Sequence, residues 1–162
     1  MEYIKALQIA EKIKEQLIPY CERIEIAGSI RRKKPFVKDI EIVAIPKPYD
    51  VGLFQSGIAT IVNQWQKVKG ELPCKFTQRK LPDDIMLDLF FAERGNWGLI
   101  YAIRTGSAEY SHKILATGWV KKGYKSKGGY LIYNNKPIAV LEEKDLFARS
   151  GIDFIDPEFR NM

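Results

Sequence analysis

Arg23-Ile24-Glu25-Ile26-Ala27-Gly28-Ser29-Ile30-Arg31-Arg32, followed by Lys38-Asp39-Ile40-Glu41-Ile42-Val43-Ala44-Ile45, decides how this chain is read. The first half alternates polar and aliphatic residues and then meets a glycine, the pattern of a strand running into a tight turn. Arg31 to Lys38 is a basic loop interrupted by Pro35. The second half alternates and then turns wholly apolar, as a strand does on entering a core.

Side chains alternate along a strand, so Asp39 and Glu41 share a face and lie about 7 Å apart. A third acid, Asp88, sits in the apolar run Ile85-Met86-Leu87-Asp88-Leu89-Phe90-Phe91. An acid there is costly unless it faces a cleft, a partner or a cation. Three carboxylates from two strands can hold two Mg²⁺ ions, which prefer oxygen ligands and keep water or substrate phosphate as the remainder. Such a pair of ions activates an attacking hydroxyl and neutralises a leaving pyrophosphate. By itself, a D-x-E pair reads as the solvent face of a strand, balanced here by Arg31, Arg32 and Lys38. The Gly28-Ser29 turn shifts the balance: small residues let backbone N–H groups approach phosphates, and arginines bind them bidentately. A phosphate cradle beside clustered acids describes nucleotidyl transfer.

Working outward, Ile4, Leu7, Ala10, Ile13 and Leu17 recur at helical spacing and Pro19 ends that helix. Phe54, Ile58, Ile61, Val62 and Trp65 predict a second helix, and Lys75-Phe76-Thr77 a strand in the same sheet as Asp88. The character changes near residue 95, where helical stretches lead to Tyr130-Leu131-Ile132-Tyr133 and a hairpin turn at Asn134-Asn135. The chain has 162 residues, 46% hydrophobic and 28% charged, which suits a soluble globular domain with a small appendage. No run is long enough for a membrane span, and no signal-peptide stretch opens the chain, so an intracellular protein is expected. Two cysteines, Cys21 and Cys74, are expected to be isolated reduced thiols. The lone histidine, His112, excludes two-histidine metal motifs and reads as a surface residue. A net charge of +6 favours a polyanionic partner.

These segments together resemble the family X DNA polymerases within the nucleotidyltransferase superfamily. Gly28-Ser29-Ile30-Arg31-Arg32 is similar to the family's G-S-x-R-R segment, Lys38-Asp39-Ile40-Glu41 to its G-D-x-D strand, and Met86-Leu87-Asp88-Leu89 to the strand bearing the third carboxylate. Thr105-Gly106-Ser107 matches the T-G-S turn. Glu143-Lys144-Asp145-Leu146-Phe147 through Ile155-Asp156-Pro157-Glu158-Phe159-Arg160 matches the closing E-x-D-I-F … P-P-E-x-R segment.

The resemblance implies an α+β fold: a nucleotidyltransferase palm with a mixed sheet and helices over residues 1–95, then a small α/β thumb-like subdomain over 96–162. It implies that Asp39, Glu41 and Asp88 ligate Mg²⁺ (two ions, Mn²⁺ being possible), Asp88 also standing as general base nearest a primer 3′-hydroxyl. Gly28, Ser29 and Arg32 are then expected at the triphosphate, Gly106, Ser107 and Arg104 at the sugar and base, and Ser111 at a base edge. Departures are visible. Lys38 replaces a glycine, Glu41 an aspartate, and Ile103-Arg104 the aromatic pair lining the sugar pocket.

The 27 residues before Gly28 leave no room for the lyase and helix-hairpin-helix modules of larger relatives, so a minimal form of viral or bacterial kind is expected. DNA must then be held by what remains. Lys121, Lys122, Lys125 and Lys127, interleaved with Trp119 and Tyr124, form the candidate patch, because lysines pair with phosphates and aromatics stack on bases. The alternative is a solvated loop with Trp119 in the core. The expected activity is gap-filling, template-directed DNA polymerisation in repair by a monomer, with primer-template or gapped DNA and a nucleoside triphosphate as partners and no membrane. A template-independent or non-DNA nucleotidyltransferase is the competing reading.

Overall fold

The computed structural model describes residues 1–48 and 57–162. Phe54 of the expected second helix lies outside the described residues. The fold is α+β, and the chain divides into two compact units, Met1–Ala92 and Glu93–Met162.

The first unit opens with α1 (Tyr3–Leu17). Its buried stripe is Ala6, Ile9, Ala10, Ile13 and Leu17, while Ile4, expected on the apolar face, is 61% exposed. One turn of helix at Pro19 leads into β1 (Cys21–Ile26), then α2 (Gly28–Arg31) and β2 (Asp39–Pro46). After α3 (Ile58–Val62) come β3 (Gln66–Lys69), β4 (Phe76–Lys80) and β5 (Met86–Phe91). The five strands form one mixed sheet in the order β1-β2-β5-β4-β3, with β2 and β5 parallel and every other pair antiparallel.

The sheet is two-faced because its central strands are. Ile40, Ile42, Ala44, Leu87 and Leu89 join the α1 stripe in one apolar cluster. A one-residue slip would turn those aliphatic side chains away from α1 and drive acids towards it, so burial fixes the register. β3 was not visible in the sequence: all four of its residues are exposed, and an edge strand without a buried face has no alternation to show. Arg79 is 2% exposed yet satisfied, donating to the Thr77 hydroxyl at 3.0 Å and the Trp65 carbonyl at 3.3 Å. Cys21 is a buried free thiol, and burial pushes its pKa up to about 11.

The second unit contains α4 (Trp97–Thr105) and then a helical stretch built from α5 (Ala108–Tyr110), a wider π-type segment (Ser111–Ala116) and α6 (Thr117–Lys121). His112 on this stretch is exposed, as expected. β6 (Lys125–Lys127), β7 (Tyr130–Tyr133) and β8 (Lys136–Ile138) form an antiparallel sheet, and α7 (Glu143–Ser150) follows. Asn134 and Asn135 both take positive φ, at 50° and 62°, as the hairpin turn demands. The core gathers Leu99, Leu115, Trp119, Leu131, Leu146 and Phe147. Glu142 and Asp145 cap α7 reciprocally. Gly98 lets α4 approach α7 closely, since a Cβ there would meet the Glu142 backbone.

Arg160, fully buried, closes the tail with an ion pair to Glu143 at 2.5 Å and lies over the rings of Phe147 and Phe154. Removing one partner of a buried pair strands the other charge. Glu143→Gln is therefore expected to lower the stability of this unit by about 3 kcal/mol, measured by denaturant unfolding; a loss within experimental error would mean that Arg160 is held without its carboxylate.

Candidate functional site

The face of the first sheet opposite α1 carries the acids. β2 and β5 pair so that Glu41 stands beside Asp88, with Asp39 beside Met86. Since Asp39 and Glu41 are two apart on one strand, all three carboxylates fall on one face, and each is half-buried. Like charges side by side on neighbouring strands repel, and the structure supplies local offsets. Gln78, the β4 partner of Asp88, donates from Nε2 to Asp88 Oδ1 at 2.8 Å. Arg32 is held near Glu41: burial lowers its guanidinium pKa, and the Glu41 charge draws it part of the way back. Gln78 carries no motif signal and was missed by sequence reasoning. Strand alternation opposite Asp88 is what would have found it.

Gly28 and Ser29 form the first turn of α2 rather than a free turn. Gly28 has φ of 61°, and a Cβ there would run into the Glu41 carboxylate. The backbone reaches this point because Ala27 N–H donates to the Glu41 carbonyl at 2.8 Å, tying the end of β1 to the acid-bearing strand. The glycine turn and the acid-bearing strand thus meet at Gly28. Among the described residues, no group of three or more His, Cys, Asp or Glu side chains closes to metal-holding geometry. The three acids share a face without converging as a finished ligand set. As a donor set, three carboxylates beside a side-chain-free glycine still suit a hard, oxygen-seeking divalent cation.

In the second unit, α4 ends at Gly106, and Ser107 caps α5 by accepting from Tyr110 N–H at 3.1 Å. A Cβ at Gly106 would stand 2.9 Å from the Tyr110 ring and 3.0 Å from Ser111 Oγ, so glycine is needed there. Ser111, expected at a base edge, is buried, and its hydroxyl donates to the Ile103 carbonyl at 2.9 Å; its work in this conformation is to tie the turn. Arg104 is exposed at the end of α4. Lys121, Lys122, Lys125 and Lys127 are all exposed, the last two on one side of β6. Trp119 is not part of that surface: it is 5% exposed and belongs to the core. Tyr124 is half-buried, its ring 5.2 Å from that of Tyr133 and beneath Arg149 at 5.9 Å. A cavity of 510 Å³ at the outer β3–β4 edge, lined in part by Trp65, Lys67 and Arg79, involves none of Asp39, Glu41 and Asp88.

No family model and no curated protein matches the chain. Among solved structures, it is similar to polymerase beta of Leishmania infantum in a ternary P/T complex, with a TM-score of 0.75 at 17% identity over 100% of this chain and 77% of that one. A ternary gap complex of the same protein gives 0.72 at 16% identity, over 99% and 70%. The chain has a polymerase beta-like fold.

Gly28→Ala is expected to cost about 1–2 kcal/mol from backbone conformation alone, with more from the collision with Glu41. Truncating the obstacle should return that second part, so Gly28→Ala and Glu41→Ala should couple favourably by about 0.5 kcal/mol or more in a double-mutant cycle of thermal unfolding. Additive losses would separate Gly28 from Glu41.

Proposed function

We propose that the chain is a metal-dependent nucleotidyltransferase that adds nucleotides to a DNA 3′-hydroxyl under template direction, filling gaps. The observation that carries this reading is the placement of Glu41 beside Asp88 on adjacent parallel strands, with Asp39 on the same face and Gly28 against Glu41. The polymerase beta-like fold supports it, as does the net charge of +6.

In this mechanism Asp39, Glu41 and Asp88 would hold divalent ions, Mg²⁺ or Mn²⁺, which would supply acidification of the attacking hydroxyl and neutralisation of pyrophosphate. Gly28 and Ser29 offer backbone and hydroxyl donors to the triphosphate, and Arg32 pairs with its oxygens. The primer 3′-oxygen gives its proton to the Asp88 carboxylate as it attacks the α-phosphorus, and the bond to pyrophosphate breaks. Gln78 steadies Asp88 by donating to its Oδ1. In the second unit, the exposed lysines between 121 and 127 bind DNA phosphates.

Primer extension on gapped, nicked and single-stranded DNA, with each nucleotide alone, tests this reading against the template-independent one. Template-matched incorporation on gapped DNA supports it; indiscriminate addition to single strands overturns template direction.

Asp88→Asn keeps an acceptor for Gln78, so folding should be retained while nucleotide addition falls roughly a hundredfold or more. Wild-type turnover by the folded variant would sink the assignment. Duplex binding should weaken with salt, log K falling at roughly −0.9 per phosphate neutralised. Lys122→Ala with Lys125→Ala should make that slope shallower by up to about two units. An unchanged slope and affinity would return these lysines to the solvated-surface reading.

A further inference from the structure

The segment joining α2 to β2 does more than connect them. It holds Lys33, Lys34, Phe36 and Lys38, and the Phe36 ring is 73% exposed, the most exposed large hydrophobic side chain among the described residues. A single exposed apolar residue needs no explanation. This one is fixed in place, however, and Lys33, Lys34 and Lys38 flank it in the sequence.

Tyr3 N–H donates to the Pro35 carbonyl at 3.1 Å, Val37 N–H to the Met1 carbonyl at 2.7 Å, and Phe36 forms an antiparallel bridge with Glu2. Val37 is 1% exposed in the first core, so its neighbours Phe36 and Lys38 face outward. At the other end, Lys33 takes φ of 57°, Lys33 N–H donates to the Ile30 carbonyl and Lys34 N–H to the Ser29 carbonyl, at 2.9 and 3.0 Å. The loop is therefore built onto the Gly28-Ser29 helix at one end and onto α1 at the other. Its aromatic tip is presented on a braced backbone, which lowers the ordering cost of a contact.

We infer that this braced tip is a docking point for single-stranded nucleic acid, Phe36 stacking on an unpaired base while Lys34 and Lys38 neutralise the flanking phosphates. The chemistry is specific to single strands. Lysines alone track any phosphate backbone, whereas an exposed ring contributes only where a base offers its π-face, which a duplex withholds. The inference deepens the nucleotidyltransferase reading and rests on it for the identity of the strand: an unpaired template or primer segment leaving the site that begins at Gly28.

The test is fluorescence anisotropy of a labelled oligothymidylate with the full chain, without nucleoside triphosphate or divalent ion, so that binding is read apart from catalysis. Phe36→Ala should weaken binding roughly tenfold, about 1.4 kcal/mol, and Phe36→Trp should retain it, with indole fluorescence quenched on binding. Lys34→Ala with Lys38→Ala should make the salt slope shallower by up to about 1.4 units. Circular dichroism confirms that each variant is folded. Wild-type protein that fails to bind the oligonucleotide, or Phe36→Ala that binds it equally well, overturns the inference. So does a Phe36→Ala effect confined to self-association in sedimentation, which would give the ring to a second copy of the chain. If binding drops in Phe36→Ala while the wild type adds no nucleotide to any primer, the surface stands and the polymerase reading falls. Extension by the wild type with unaltered binding by Phe36→Ala gives the reverse.

Discussion

The pairing of β2 with β5 is the constraint on which the rest depends. It is enforced from the face that meets α1: Ile40, Ile42, Ala44, Leu87 and Leu89 are each fully buried, and together they allow one register. Because side chains alternate, satisfying that face sets Glu41 beside Asp88 on the other. The acids are therefore neighbours as a consequence of hydrophobic packing, at an electrostatic cost offset locally by Gln78 and Arg32. The same strand end places the Ala27 backbone against Glu41, and only a residue without Cβ can follow at position 28.

What was legible in the sequence follows from which elements have two unlike faces. β2, β5 and the Asn134-Asn135 hairpin carry alternation or turn chemistry, and the structure has them where the pattern puts them. β3 and β6 are edge strands of exposed and mostly polar residues, and nothing in Gln66-Lys67-Val68-Lys69 or Lys125-Ser126-Lys127 distinguishes strand from loop. Ile4 fits a helical period yet faces solvent, because the stripe that meets the sheet is centred on Ala6, Ile9 and Ile13. Asp88 stood out in the sequence because charge in an apolar strand is costly, and Asp39 and Glu41 because their spacing lies beside the Gly28-Ser29 turn. Gln78 did not, since a neutral amide on an alternating strand is ordinary.

The closing segment of the chain shows motif and physics coinciding. Glu142 and Asp145 cap α7, Leu146 and Phe147 fill the core, and Glu143 meets the buried guanidinium of Arg160. Arg160 in turn accepts, through its carbonyl, the Ser107 N–H at 3.0 Å. The two sequence marks that make the resemblance specific, the T-G-S turn and the E-x-D-x-F ending, are thus tied to each other. They report the architecture of the second unit.

Constraints of this kind explain how a fold can persist at 17% identity. Register, positive φ at a glycine, reciprocal capping and one buried ion pair all act through backbone geometry or a single charge pairing, and they leave most side chains free to change. Lys38 in place of glycine and Glu41 in place of aspartate are changes of this tolerated kind: β2 keeps its pairing through both positions that follow Lys38, and the longer acid still ends beside Gly28. The braced loop before β2 has the same freedom. Its backbone is held at both ends, while its outward side chains have no core to satisfy, so a ring and three lysines can stand there at no cost to the fold that carries the acids.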